Sequence, residues 1–162
     1  MTILNRRSVI LLGAGIMTLG FHRAFADEPI LTVSGAISAP AERRFTLAQL
    51  EALPALRFTT TTPWHEAPVT FEGVDLDAFL TTLGATGSKL RLTALNDYVA
   101  DMDIASVAGQ GAILAYRENG QTMSVTERGP LFLVFPFDDN AALKLPSFYA
   151  RCVWQLASLE IL

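Results

Sequence analysis

Short apolar runs separated by turn residues restrict the fold of this chain more than any other feature of its sequence. Residues 89–95 (KLRLTAL) alternate apolar and polar side chains, whereas residues 131–135 (LFLVF) are continuously apolar. The first pattern is typical of a strand with one solvated face, and the second of a strand buried on both faces. Between them, Asn119-Gly120 is the strongest hairpin signal in the chain. The sequence therefore requires a β-sheet as its main element.

Helical spacing is clear in only two places. The first helix is expected to begin at Thr46, which can form a capping box with Gln49. The second covers residues 75–83, and Gly84 follows it as the glycine that commonly ends a helix. Many strands with a few short helices predict a sheet-dominated α+β fold. The further strands are expected at 30–37, 56–62, 112–117, 121–125 and 152–162.

The first 26 residues have the pattern of an export signal. Arg6 and Arg7 precede an apolar stretch at 8–21, and a small-x-small pattern ends at Ala26. The stretch is shorter than the roughly 20 residues that span a bilayer. We therefore predict a signal peptide cleaved after Ala26 and one periplasmic domain, 27–162, without membrane insertion. An uncleaved anchor is the alternative, and the arginine pair leaves open which export route is used, general secretory or twin-arginine.

The net charge and the small number of cysteine and histidine residues limit which partners and metal sites we expect. Removal of the signal takes away three of the 12 basic residues and none of the 16 acidic ones, which leaves a net charge of −7. Nucleic acid is excluded as an expected partner, because phosphates require a basic face. The only cysteine, Cys152, lies in an apolar strand pattern and is expected to be a small buried hydrophobe. His65 is the only histidine of the predicted domain, and we expect it to be exposed.

Common catalytic signatures are missing from the sequence. It contains no Gly-rich phosphate loop, no G-x-S-x-G elbow, no H-E-x-x-H and no C-x-x-C. We therefore predict no catalytic residue and no metal ligand. The polar and aromatic residues that stand out lie at predicted strand ends and turns. They are Trp64, His65, Asn96, Asp97, Tyr98, Arg128, Gly129, Arg151 and Trp154.

Most of these residues also have a purely structural interpretation. Asn96 and Asp97 are typical of a tight turn, since both tolerate the left-handed conformation. Trp64 and Trp154 can be core aromatics, and Arg128 can be a solvated residue of a hairpin. The acidic pair after Phe137 lacks the glycine and the distal glutamate of a calcium loop, so we expect a solvated loop there.

Five short segments follow one another along the chain: 71–76 (FEGVDL), 96–98 (NDY), 113–115 (ILA), Asn119-Gly120 and 128–131 (RGPL). Their order resembles the sulfite-oxidase fold, the molybdopterin-binding domain of molybdenum oxidoreductases. The resemblance covers roughly residues 30–162 and implies that two turns frame a pterin. In catalytic members of that family a cysteine thiolate binds molybdenum, but the corresponding residues 59–64 (TTTTPW) contain none. A threonine hydroxyl is a poor substitute for this soft ligand.

One subset of the fold, the PruR-like periplasmic proteins, lacks this cysteine and is more similar to the chain. The shared features are the 96–98 turn, the 128–131 turn with its following strand and Pro136, and the closing 153–156 (VWQL). Members of the subset bind a reduced pterin without metal and signal through a membrane enzyme of cyclic di-GMP metabolism. The resemblance implies the same here: an exported protein that reports a reduced pterin, such as a tetrahydropterin, to the periplasmic domain of a membrane signalling protein.

The chemistry of a pterin suggests a role for each candidate residue. Its 2-amino group and N3–H present two parallel donors, which the carboxylate of Asp97 would accept. Trp64, and secondarily Tyr98, would stack on the flat ring. The other predicted ligand residues would donate to the 4-oxo group or bridge to the ring: Arg128, the backbone N–H of Gly129, and Asn96.

Two further functions stay open on the sequence alone. The first is a molybdopterin-dependent oxidoreductase with an unusual ligand in place of the thiolate. The second is an interaction domain that has kept only the scaffold. The small number of cations disfavours molybdopterin, because its phosphate requires several basic groups whereas a free pterin does not.

Overall fold

The computed structural model describes residues 28–162, and the predicted signal peptide lies outside them. Most elements in this part of the chain are strands. The strands are β1 (Pro29–Gly35), β2 (Glu42–Thr46), β3 (Ala55–Thr60), β4 (Val69–Asp75), β5 (Lys89–Ala94), β6 (Val99–Asp103), β7 (Ile113–Glu118), β8 (Gln121–Thr122), β9 (Phe132–Val134), β10 (Val153–Trp154) and β11 (Leu156–Ile161); the helices are α1 (Leu47–Glu51), α2 (Leu76–Leu83) and α3 (Pro146–Tyr149).

The strands form two sheets. The first has the order β2-β1-β11-β5-β6, in which β1 and β11 run parallel and the other neighbours antiparallel. The second has the order β10-β9-β7-β4-β3, with β8 paired to β7, and is antiparallel throughout. The predicted sheet-dominated α+β class is thereby confirmed. None of the helices described is long and apolar enough to cross a bilayer.

One cluster of buried side chains joins both sheets. Leu92 of the first sheet, Phe71 and Phe132 of the second, and Phe79 of α2 all belong to it and are at most 1% exposed. Burying a side chain of this size contributes about 1.5–3 kcal/mol. The shared core therefore holds the two sheets in a fixed relation and supports the loops at their edges.

Both predicted helices begin as their sequences indicate, and α2 also ends at the predicted residue. The Thr46 hydroxyl accepts the Gln49 N–H, and the Gln49 side chain accepts the Thr46 N–H, so the capping box is confirmed. The Asp75 carboxylate caps α2 through the Ala78 N–H at 2.6 Å. Gly84 ends α2 in the left-handed conformation, with φ 62°.

The predicted strand at 152–162 is wrong as a single element. The structure divides it into β10 and β11, which belong to different sheets. Gln155 stands between them with φ 53°, a left-handed conformation that turns the chain out of one sheet and into the other. Its N–H donates to the Arg128 carbonyl at 2.8 Å, and its carbonyl accepts the Leu95 N–H at 2.9 Å. This crossing brings the 96–98 and 128–131 turns near each other.

Candidate functional site

A cavity of about 280 Å³ lies among three separate loops. The β3–β4 loop contributes Trp64, and the β5–β6 turn contributes Asn96 and Tyr98. The remaining lining residues come from α3 and the chain after it: Tyr149, Cys152 and Trp154. We call this space the aromatic cavity. Three of the predicted ligand residues, Trp64, Asn96 and Tyr98, thus lie together.

Trp64 is both a packing residue and a wall of the aromatic cavity. Its ring meets Trp154 edge to face at a centroid distance of 5.7 Å, and Phe132 also at 5.7 Å. Tyr149 meets it at 6.1 Å in the same manner. The indole remains half-buried. Edge-to-face packing is a geometry that aromatic pairs prefer, so these ring contacts stabilise the aromatic wall without a ligand.

The β5–β6 turn separates the three residues predicted there. Asp97 has φ 62°, and its N–H donates to the Ala94 carbonyl at 3.1 Å. The Asn96 side chain accepts the Tyr98 N–H at 3.2 Å, and the Tyr98 hydroxyl donates to the Ala150 carbonyl at 2.9 Å. The tight-turn interpretation is confirmed. Asn96 and Tyr98 line the aromatic cavity, whereas Asp97 is exposed and lines neither this cavity nor the cleft described next.

A larger open cleft of about 720 Å³ adjoins the β7–β8 hairpin. Its lining is mostly polar, and we call it the polar cleft. Trp154 lines both the polar cleft and the aromatic cavity, so the two spaces share one wall. The other lining residues are Glu118, Asn119, Gln121, Thr122, Met123, Thr126, Glu127, Arg128 and Gln155.

Arg128 is a fixed, half-buried wall of the polar cleft rather than a solvated hairpin residue. One terminal nitrogen, Nη2, donates to the Trp64 carbonyl at 2.8 Å, and the other, Nη1, lies 3.0 Å from His65 Nε2. The backbone at Arg128 is left-handed, with φ 72°. Within residues 28–162 the guanidinium forms no ion pair with a carboxylate. Arg128 therefore ties the polar cleft to the Trp64 loop and keeps donors available.

The expectation that His65 is exposed is wrong, because its side chain is only 9% exposed. Nδ1 lies 2.6 Å from the Thr62 hydroxyl, and Nε2 lies 3.3 Å from a carboxylate oxygen of Glu118. Burial lowers the pKa of His65, the Glu118 carboxylate opposes this, and Arg128 lowers the pKa further. A neutral ring that accepts from Arg128 at Nε2 must carry its proton on Nδ1 and donate it to Thr62. No sequence pattern indicates this cluster, because Glu118 and Arg128 are distant from His65 in the chain.

The backbone N–H of Gly129 is not available to a ligand, which corrects its expected role. It donates to the Ser124 carbonyl at 2.7 Å. Gly129 is buried, and a Cβ at this position would lie 2.0 Å from the Met123 carbonyl oxygen. Glycine is therefore required here for the close approach of two backbone segments, and its contribution is to shape the turn that carries Arg128.

The acidic pair after Phe137 lies in an exposed loop, as the sequence predicts, and Asp138 of this loop also holds the Trp64 loop from the other side. The carboxylate accepts the N–H of Thr61 at 2.6 Å and its hydroxyl at 2.7 Å, and Lys144 lies 2.6 Å away. The Asp138 N–H also donates to the Thr60 hydroxyl at 3.0 Å. Lys144 and the two Thr61 donors lower the pKa of Asp138 from 3.8 to about 2. The threonine-rich segment before Trp64 thus makes internal contacts with the loop that contains Asp138.

The donor set does not fit the thiolate-bound molybdenum of the family. Cys152 is buried, its thiol donates to the Phe148 carbonyl at 3.6 Å, and burial raises its pKa. The thiol therefore stays protonated at neutral pH, although it lines the aromatic cavity beside Asn96. The only side-chain oxygen or sulfur atoms that residues 59–64 could offer to a metal are threonine hydroxyls. Across residues 28–162 no three His, Cys, Asp or Glu side chains are grouped as metal ligands.

The two sheets and the loops at their edge define a domain with a sulfite-oxidase-like fold. Among solved structures the chain is similar to the sulfane dehydrogenase SoxCD from Paracoccus pantotrophus, with a TM-score of 0.64 and 19% sequence identity. The alignment covers 85% of this chain but only 39% of the SoxCD chain. This likeness confirms the predicted fold. No protein-family model matches the sequence, and no curated protein matches it.

Proposed function

We propose that this protein is an exported pterin-binding protein that holds a reduced pterin against the shared wall of the aromatic cavity and the polar cleft. The proposal depends mainly on one observation. Trp64, Asn96 and Tyr98, selected from the sequence as pterin ligands, line one cavity, and its wall residue Trp154 also lines the cleft that contains Arg128.

The size and lining of the two spaces support a small flat ligand. Binding sites for small molecules typically enclose about 300–1,000 Å³ and combine apolar walls with a few polar groups. The aromatic cavity, at about 280 Å³, supplies four aromatic residues together with the Asn96 side chain. Stacking of a base-like ring on an aromatic face contributes about 1–3 kcal/mol. The polar cleft adds the donors and acceptors that a pterin edge requires.

The charges favour a free pterin over molybdopterin. Among residues 28–162, Arg128 is the only cationic residue that lines either space, whereas Glu118 and Glu127 line the polar cleft. A ligand phosphate would meet one arginine and two carboxylates, which is an unfavourable electrostatic environment. A pterin without phosphate carries no such charge into the cleft.

Exposed apolar side chains beside the ligand residues support a reporting function. Tyr98 lines the aromatic cavity and is 47% exposed, and Leu95 and Val99 next to it are 53% and 48% exposed. A partner that contacts this patch would be sensitive to the position of Tyr98. In line with the resemblance to PruR-like proteins, we propose that the partner is the periplasmic domain of a membrane enzyme of cyclic di-GMP metabolism. A pterin acts as a switch only if the two conformations bind it with different affinities.

The decisive experiment is native mass spectrometry of residues 27–162 purified from the periplasm, followed by calorimetry with a tetrahydropterin. We expect a co-purified pterin mass and saturable binding tighter than about 100 μM, which corresponds to roughly −5.5 kcal/mol. Trp64→Ala should weaken this binding, whereas Trp64→Phe should retain part of it. Absence of saturable binding at that concentration would remove the proposal.

The likeness to SoxCD favours one alternative, a molybdopterin-dependent oxidoreductase with a non-cysteine ligand. The buried Cys152 thiol and the hydroxyl-only segment before Trp64 weigh against it. Elemental analysis of protein from cells that make the cofactor separates the two functions. Stoichiometric molybdenum would overturn the pterin-only proposal.

A further inference from the structure

Two side chains of opposite charge stand close together in the polar cleft without forming an ion pair. Nη1 of Arg128 lies 3.0 Å from His65 Nε2, and a carboxylate oxygen of Glu118 lies 3.3 Å from the same nitrogen. Both residues line the cleft. The two charged groups are therefore neighbours across one imidazole edge, and each still faces open space.

Both groups are held in place from behind. Arg128 uses donors on its two terminal nitrogens for the Trp64 carbonyl and His65, which leaves the rest of its five donors for a ligand. Glu118 is the last residue of β7, and its side chain is 22% exposed. Within residues 28–162 the close polar neighbour of its carboxylate is His65 Nε2, which as an unprotonated acceptor donates no hydrogen bond to it. Neutral His65 accepts from Arg128 and leaves the carboxylate free to accept from a ligand.

We propose that Arg128 and Glu118 together read the pyrimidine edge of the ligand, with Arg128 donating to the 4-oxo group and Glu118 accepting from N3–H and the 2-amino group. This inference rests on the proposed pterin-binding function and adds the residues that give it specificity. It moves the carboxylate role from Asp97 to Glu118, because Glu118 lines a cleft that also contains a free guanidinium, whereas Asp97 lines neither space.

The chemistry of this pair selects one class of ring. An acceptor beside two parallel donors occurs on a 2-amino-4-oxo pyrimidine edge, and a carboxylate matches the two donors as it matches the fork of arginine. A 2,4-dioxo ring presents an oxygen in place of the 2-amino group. That oxygen would face the Glu118 carboxylate and leave an acceptor opposite an acceptor. The pair therefore discriminates between rings of nearly the same shape.

The test compares two ligands on four forms of the purified protein. The ligands are a tetrahydropterin and its lumazine counterpart, in which oxygen replaces the 2-amino group. The proteins are the wild type, Glu118→Gln, Asp97→Asn and Glu42→Gln. The last is the matched control, because it removes a carboxylate charge from an exposed position on a strand of the other sheet. Affinities are measured by calorimetry, and circular dichroism establishes that each variant is folded.

We expect the wild type to prefer the tetrahydropterin by at least 10-fold. Glu118→Gln should weaken tetrahydropterin binding by at least 10-fold and reduce the preference to less than 3-fold, because an amide can donate to the 2-oxo group. Glu42→Gln should match the wild type. The preference is a ratio within one folded protein, so a general loss of stability does not imitate it.

Two outcomes overturn the inference in different ways. In the first, the wild type binds the tetrahydropterin, but Glu118→Gln keeps the full preference or only Asp97→Asn loses affinity. The pyrimidine edge is then recognised by other residues, and the proposed function stands. If the wild type shows no saturable binding of either ligand, the proposed function fails and the inference fails with it.

Discussion

Nη1 of Arg128 lies 3.0 Å from Nε2 of His65, although the two residues are 63 positions apart in the chain. The contact joins the Trp64 loop to the turn after β8. The same guanidinium donates to the Trp64 carbonyl at 2.8 Å. One side chain therefore links the aromatic cavity to the polar cleft, and the protonation of His65 affects both.

The stability of the protein should fall between neutral and mildly acidic pH because of His65. Burial lowers its pKa in the folded state, so the unfolded chain takes up a proton first. The stabilising contribution is fully present above the unfolded value of about 6.5 and decreases as the pH falls from there to the lowered folded value.

Chemical denaturation at pH 7.5, 6.5 and 5.5 measures this effect. In His65→Gln the decrease should be absent over that range, because His65 is the only histidine in residues 27–162. An identical slope in the variant would show that another group titrates.

Arg128→Lys should cost about 1–2 kcal/mol of stability, although it keeps the charge. Lysine carries its donors on a single nitrogen and cannot reach both the Trp64 carbonyl and His65, whereas the planar fork of arginine does. Pterin affinity should fall by more than 10-fold as well. Denaturant unfolding and calorimetry measure the two effects, and Arg57→Lys on β3 serves as the control. Equal stability of the Arg128 variant and the wild type would contradict the linking role.

Asp138→Asn should lower the melting temperature and remove an acid-dependent loss of stability. The folded pKa of Asp138 is lowered from 3.8 to about 2 by Lys144 and Thr61. Its stabilising contribution is therefore present above pH 3.8 and is lost as the pH falls through about 2. Thermal melts at pH 7, 4 and 2 measure the change. Asp139→Asn alters a neighbouring carboxylate that makes none of the Thr61 contacts and should behave as the wild type.

Gly129→Ala should destabilise the protein by about 3 kcal/mol, the upper part of the usual range for overpacking. The added Cβ would lie 2.0 Å from the Met123 carbonyl oxygen, so two backbone segments must separate. Gly109→Ala is the control, since open space surrounds that position and only its φ of 70° opposes the substitution. Similar melting temperatures for both variants would show that the close approach at Gly129 is not limiting.

Local structure followed from local sequence. The capping box of Thr46, the Asp75–Gly84 limits of α2 and the Asn119-Gly120 hairpin each depend on neighbours in the chain, and the structure contains all three. An edge strand, and an apolar run that contains two strands of different sheets, were harder to predict. The pattern at Glu42–Thr46 is charged because β2 lies at the edge of its sheet, and the apolar run at 152–162 concealed a change of sheet at Gln155.

The candidate site was predictable only where it depends on local sequence. Turn residues such as Asn96 and aromatic residues such as Trp64 are visible in a sequence, and the structure brings them to one cavity. Arg128 was selected from the sequence, but its neighbour Glu118 was not, because Glu118 looks like any polar residue at a strand end. Its position beside His65 depends on how β7, the Trp64 loop and the Arg128 turn meet.

The sequence by itself determined most of the strands, the start of α1, the limits of α2 and the lack of a thiolate before Trp64, since these depend on residue type and on spacing within a few positions. Only the tertiary structure decided that the His65 side chain is largely buried, that Asp138 holds Thr61, and that Arg128, among residues 28–162, lines a cleft without forming an ion pair with its carboxylates. Those features arise where distant segments pack together. Burial and the geometry of hydrogen bonds then set the charge and the availability of each group, and neither can be read from the chain one residue at a time.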